Sequence, residues 1–195
     1  MMRNVKFVLV AVAAAASALA LSSPVRAAET WEIDPVHTEV LFAVSHLGVS
    51  TQYGRFNDLS GKIVLDEENP ENSSIELEIK TASVDTGDEK RDQHLRSPDF
   101  FNAKQFPVIR FVSTGIEKTG ESAYEISGEL TMHGTTKPLT VTFERLGTTT
   151  TPKKETVTGG TTSFTVERSD FGVDYLVGPV GDEVELMISV EAIKQ

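Results

Sequence analysis

The chain has 195 residues, no cysteine, 18 basic and 29 acidic residues, and a formal net charge of −11. The missing cysteine excludes disulfides, thiolate metal sites, a thiol nucleophile and the acylated cysteine of a lipoprotein. The acidic balance argues against a nucleic-acid or anionic-lipid partner, since such a surface repels phosphates.

Residues 1–27 read as a secretory leader. Arg3 and Lys6 form a basic start, Phe7–Leu21 is an unbroken run of apolar and small residues, and Val25-Arg26-Ala27 supplies a small-residue cleavage site. The run is short of the roughly 20 residues that span a bilayer, so a cleaved signal is expected rather than an anchor. Cleavage before Ala28 would leave 168 of the 195 residues, and loss of Arg3, Lys6 and Arg26 would leave 15 basic against 29 acidic residues, a net charge of −14. That length suits one domain, residues 28–195, with a good core.

Period-two alternation then runs nearly to the end. Segments near Trp31–Leu47 and Tyr53–Asp66 come first. In the former, Val40, Phe42 and Val44 share one parity, and that apolar row ends in His46. Ile75, Leu77 and Ile79 alternate with Glu76, Glu78 and Lys80. After an interruption come Val108–Lys118, the row Tyr124, Ile126, Leu130 and Met132, and the row Leu139, Val141 and Phe143. Thr161–Arg168 and the row Val184, Leu186, Ile188 and Val190 complete the set, with a polar loop at Thr148–Lys154. Each segment reads as a strand with one dry and one wet face. Asn69-Pro70, Thr119-Gly120, Gly134 and Gly159-Gly160 mark turns too short for parallel crossovers. The expectation is an all-β fold, an antiparallel barrel of about eight strands, closed because closure removes exposed edges.

Asp85–Phe106 breaks the pattern. Thr86 and Glu89 have capping-box spacing, and Ser97-Pro98 has the form of a second helix start. A short helical insertion at about 86–103, lying across one end of the barrel or against its wall, is expected.

Chemistry-bearing residues are sparse. The four histidines, His37, His46, His94 and His133, show no ligand spacing. On one unbroken strand, His37 and His46 would face opposite ways. No nucleophile elbow is present. Asp34 and His37 read first as a pair fixing the start of a strand, with a catalytic dyad as the alternative. His46 reads as satisfied by a backbone or carboxylate partner, as the polar contact at a cavity mouth, or as a metal or catalytic group. Phe42, Val44, Phe56, Leu77, Ile79, Phe111, Leu130, Met132, Val141, Phe143, Phe164, Leu186 and Ile188 either fill a core or line a cavity, and periodicity does not choose between these.

The chain from Trp31 onward resembles the YceI-like family. The resemblance rests on Asp34-Pro35-Val36-His37, Phe42, His46-Leu47-Gly48, Gly54-Arg55-Phe56, RDQHLRSPDFFNAKQFPVIRF (91–111), GELTMHGTTKP (128–138) and Arg168-Ser169-Asp170-Phe171-Gly172, in that order. It implies a lipocalin-like, eight-stranded antiparallel barrel in an exported, soluble periplasmic protein. It further implies a long lipophilic ligand, a polyisoprenoid or isoprenoid quinone, held by the apolar rows, in a family not known for catalysis; no other cofactor and no metal are expected, with a metal site built from distant residues as the alternative. His46, His94, Arg96 and Asp99 are the expected contacts for the ligand's polar end. A homodimer enters only by analogy. Gly147–Gly160 departs from the family pattern: a threonine run and Lys153-Lys154-Glu155 stand where aromatic and glycine residues are usual. Two other readings stand beside the carrier: an integral outer-membrane barrel, and an enzyme acting on a lipid or quinone through Asp34–His37 or His46.

Overall fold

A computed structural model describes residues 27–195; the leader expected at 1–27 therefore lies, but for Ala27, outside the described residues. The strands are β1 (Glu29–Ile33), β2 (Glu39–His46), β3 (Ser50–Phe56), β4 (Leu59–Leu65), β5 (Ser74–Lys80), β6 (Val84–Asp85), β7 (Val108–Lys118), β8 (Ala123–Met132), β9 (Thr135–Thr150), β10 (Thr156–Glu167) and β11 (Val180–Lys194), with one helix, α1 (Glu89–Leu95). All the strands join one sheet, and the β1–β11 pairing closes it.

The eleven strand segments make eight antiparallel staves. One edge of β11 is shared: Ala192 and Lys194 pair with β1, while Val184 to Ser189 pair with β2. On the other side β1 pairs with β4 and β2 with β3. Thus β1 and β2 are one interrupted stave, and β3 and β4 another. The segments expected as single strands at Trp31–Leu47 and Tyr53–Asp66 are each broken. The first break has a local cause. Asp34 Oδ1 accepts the Val36 N–H at 2.8 Å, folding the chain into an Asx turn, and Pro35 has no N–H for the ladder. The chain rejoins the sheet at Thr38, whose hydroxyl meets both the carbonyl and the N–H of Glu191. His37 therefore sits in a turn, and the parity that set it opposite His46 does not apply.

The registers place the dry rows inside. Phe42 stands between Gly54 and Leu186, Leu77 opposite Phe111, Phe111 opposite Leu130, and Ile126 opposite Val141. Glu76, Glu125, Glu129, Glu183 and Glu185 are exposed on the outer wall. A charged exterior around an apolar lumen is the reverse of a barrel built to sit in a bilayer, so the outer-membrane reading is set aside. Among the described residues, no helix is long and apolar enough to cross a membrane.

The insertion is shorter than expected, and it is capped differently. The N-cap of α1 is Asp88, whose carboxylate accepts the Arg91 N–H at 2.8 Å. Thr86 is committed elsewhere: its N–H and hydroxyl both donate to Oδ1 of the buried Asp92. Ser97-Pro98 opens a pair of tight turns rather than a second helix. The Ser97 carbonyl accepts from Phe100 and Asn102, and the Leu95 carbonyl from Phe101. These turns still deliver Leu95 and Phe101 onto a core of Ile33, Val40, Phe42, Phe56, Ile79 and Ile109. A smaller cluster of Ile116, Ile126 and Val141 lies elsewhere along the barrel.

Candidate functional site

The barrel is not filled. It encloses a cavity of about 270 Å³ with an almost wholly carbon wall. Phe42, Val44, Phe56, Leu77, Ile79, Phe111, Leu130, Met132, Val141, Phe143, Phe164, Leu186 and Ile188 all line it, joined by Leu95, Phe100 and Phe101 from the insertion. The lumen stays open partly because bulky rings lie over glycines of adjacent strands. The Phe42 ring occupies the space a side chain at Gly54 would need, and Phe143 does the same at Gly160.

Two arginines interrupt the apolar wall. Arg168 follows β10 and is only 6% exposed. Its Nε donates to the Gly181 carbonyl at 2.8 Å, Nη1 to those of Val173 and Tyr175 at 2.7 and 2.9 Å, and Nη2 to that of Val180 at 3.0 Å. The guanidinium thereby pins residues 173–181 to the end of the barrel. Burial lowers its pKa, opposed by the charges of Asp182 and Asp174. Asp182 in turn accepts from the Ser169 hydroxyl and N–H at 2.7 and 2.9 Å, and these bonds hold its carboxyl below the ordinary range. Arg145 lies on β9 and lines the cavity beside Thr158 of β10.

None of His46, His94, Arg96 and Asp99 lines this cavity. His46 is exposed at the end of β2, next to the turn into β3. His94 Nε2 lies 2.9 Å from Asp99 Oδ2, and its ring packs edge-on against Phe100 and Tyr175. Arg96 donates to the carbonyls of Ala82 and Val84, tying the insertion to the residues before it. His94, Arg96 and Asp99 build the outer side of the insertion because the turns after α1 direct Phe100 and Phe101, not their polar neighbours, to the lumen.

The polar groups that do line the cavity were only partly legible in the chain. Arg145 continues the odd-numbered row of Leu139, Val141 and Phe143, so strand parity alone points it inward. Arg168 likewise continues the even-numbered row of Phe164 and Val166, both on the cavity wall. It begins a 3-10 turn, and its partners come from the loop that follows.

Asp34 and His37 do pair, with Nδ1 2.7 Å from Oδ2, and Glu191 Oε1 lies 3.7 Å from the same nitrogen. The Asp34 hydrogen bond raises the His37 pKa and lowers that of Asp34. Potential ligand atoms of these three residues lie within 4.8 Å of one another. His37 is exposed, and none of the three lines the cavity. The pair closes the turn between β1 and β2, as the bland reading of the sequence expected.

A closed antiparallel barrel with an apolar lumen defines a lipocalin-like binding fold. The chain belongs to the YceI-like family: the YceI-like domain model matches residues 31–192. It is 43% identical over 159 residues to a UPF0312 protein of Pseudomonas paraeruginosa, covering 82% of this chain and 83% of that one. The YCEI protein of Campylobacter jejuni superposes with a TM-score of 0.70 at 31% identity, over 77% of this chain and 90% of that one. A polyisoprenoid binding domain from Saccharophagus degradans shares the fold, with a TM-score of 0.64 at 15% identity, over 85% and 98% of the two chains.

Proposed function

We propose that the protein is a periplasmic carrier that holds one long lipophilic chain, of polyisoprenoid or isoprenoid-quinone type, inside its barrel, and that it catalyses no reaction on it. The observation that carries this reading is the carbon-walled cavity. Each methylene transferred into such a lumen contributes roughly 0.8 kcal/mol, so a long chain is retained by area alone. The polyisoprenoid-binding neighbour supports the ligand class, and the leader-like residues 1–27 support export. Against an enzyme stands the placement of Asp34 and His37 outside the cavity wall.

The test is to purify the protein without detergent after export in a Gram-negative host, and to analyse an organic extract by mass spectrometry. A stoichiometric isoprenoid lipid is expected. Protein that arrives lipid-free and takes up no labelled isoprenoid overturns the reading.

A further inference from the structure

Two loops at one end of the barrel hold apolar side chains out into solvent. In the turn between β2 and β3, Leu47 is 60% exposed and Val49 81%; in the loop before β11, Tyr175, Leu176 and Val177 are 40%, 45% and 43% exposed. The two tips are stitched side by side: the Leu47 N–H donates to the Pro179 carbonyl at 2.7 Å, and His46 pairs with Val180. The local backbone does not ask for either leucine. The Val49 N–H closes the first turn on the His46 carbonyl at 3.1 Å, and Leu47 and Gly48 both have positive φ, 53° and 66°. That is the type I′ form, which selects Asn-Gly. Leu176 also lies in the left-handed region, with φ 55°, where a bulky residue is an outlier. The stretches 46–50 and 175–181 contain no Asp, Glu, Lys or Arg, in a chain that is 24% charged. Asp174 and Asp182, which flank the second stretch, set their charges against Arg168.

We infer that these two tips are the face by which the protein docks on a zwitterionic lipid bilayer, seating their apolar side chains in its surface and leaving the acidic remainder in water. The inference deepens the carrier reading above and rests on it for what is exchanged there. Size argues for a bilayer over a protein. Five side chains on two narrow tips fall far short of the roughly 20–30 residues a side that a stable protein interface uses, so a second copy is not held there. Charge argues the same way. A protein interface takes its register and partner choice from charged and polar groups at its rim, and these tips carry no Asp, Glu, Lys or Arg. They suit a surface without net charge, whereas an anionic one repels a chain of net charge −11. Tyr175, its ring packed edge-on against His94 and Phe100, has the amphipathic form enriched at membrane–water interfaces. Continuity is the third argument. The loop that presents Tyr175, Leu176 and Val177 also lines the cavity through Val173 and Val180, so the docking face adjoins the apolar wall that receives a lipid chain.

The chain has no cysteine, so Val49→Cys takes a single environment-sensitive label at one tip, and Lys153→Cys takes it in the loop between β9 and β10, at the opposite end of the barrel. With phosphatidylcholine vesicles the label at position 49 should brighten and shift to the blue, and the label at position 153 should not respond. Phosphatidylglycerol in the vesicles should weaken the response, and salt should restore it. Leu47→Asn combined with Leu176→Asn suits both left-handed backbones, so folding is not at risk. This pair should weaken vesicle binding about tenfold. It should also slow uptake of labelled geranylgeraniol from vesicles, while leaving uptake from ethanolic solution unchanged. A response equal at the two labels, or one undiminished by the asparagine pair, overturns the face. A response that needs no vesicles and grows with protein concentration assigns the tips to a second copy and overturns the bilayer as occupant. Uptake from solution with no vesicle response overturns the face and leaves the carrier standing. A vesicle response confined to the tip, with no uptake by either route, supports the face and overturns the carrier.

Discussion

Phe42 lays its ring over Gly54, its antiparallel partner on β3, and fills the space that a side chain there would occupy. A Gly54→Val variant must therefore push the ring off the wall and into the lumen. It should lose about 1–3 kcal/mol of stability, the usual cost of overpacking, and also lose ligand capacity. Urea denaturation followed by the fluorescence of Trp31, the one tryptophan, checks the first effect. Lipid loading checks the second. An unchanged midpoint with full loading would show that the ring is free to move aside.

The Asp34–His37 pair makes stability depend on pH in a bounded window. His37 is raised in the folded state, so its contribution is complete below the ordinary histidine value of 6.5 and disappears as pH rises through the folded value. Asp34 is lowered, so its contribution is complete above the ordinary value of 3.8 and disappears as pH falls through the folded value. The pair is at full strength between 3.8 and 6.5. The gap in denaturation midpoint between wild type and His37→Ala should be widest there and narrow on both sides. A gap that does not vary with pH would contradict the assignment.

Arg168→Met removes the guanidinium and strands the carbonyls of Val173, Tyr175, Val180 and Gly181. Breaking a buried charged hub of this kind should cost about 3 kcal/mol or more. Hydrogen exchange should rise across residues 173–181 more than in β5 or β8. Uniformly raised exchange would mean that the arginine supports the whole barrel rather than this loop.

Asp88→Ala removes the N-cap of α1 and should cost about 1 kcal/mol. The Glu89 side chain is not part of the cap: its Oε1 accepts from Gln93 Nε2 at 3.0 Å along the helix. Glu89→Ala should accordingly change the unfolding midpoint far less than Asp88→Ala. The reverse order would restore the capping box that the sequence spacing implied.

The capping box shows where local pattern misleads. Thr86 and Glu89 have the right spacing, but the buried Asp92 carboxylate takes both donors of Thr86. The polar residues around the insertion mislead in the same way. His94 and Asp99 satisfy each other at 2.9 Å outside the cavity, and nothing in their spacing announces that pairing. Arg145 is the opposite case: its parity with Leu139, Val141 and Phe143 places it inward, yet the threonine run after it reads as a loop when β9 in fact continues to Thr150.

The sequence by itself determined the two faces of nearly every strand, because side chains alternate with a period of two whatever the strand pairs with. The all-β class, the interrupted stretch at 85–106 and the apolar rows that meet in the lumen follow from that local rule. Only the tertiary structure decided which face is inside, since a closed sheet can turn either face to its axis and the pairing of β1 with β11 joins residues at opposite ends of the chain. Tertiary structure also decided which partners hold the polar groups of the cavity wall in place. Arg168 and Arg145 meet partners brought to them by the turn of the loop after β10 and by the approach of Glu67 from 78 residues away, and no local period encodes either.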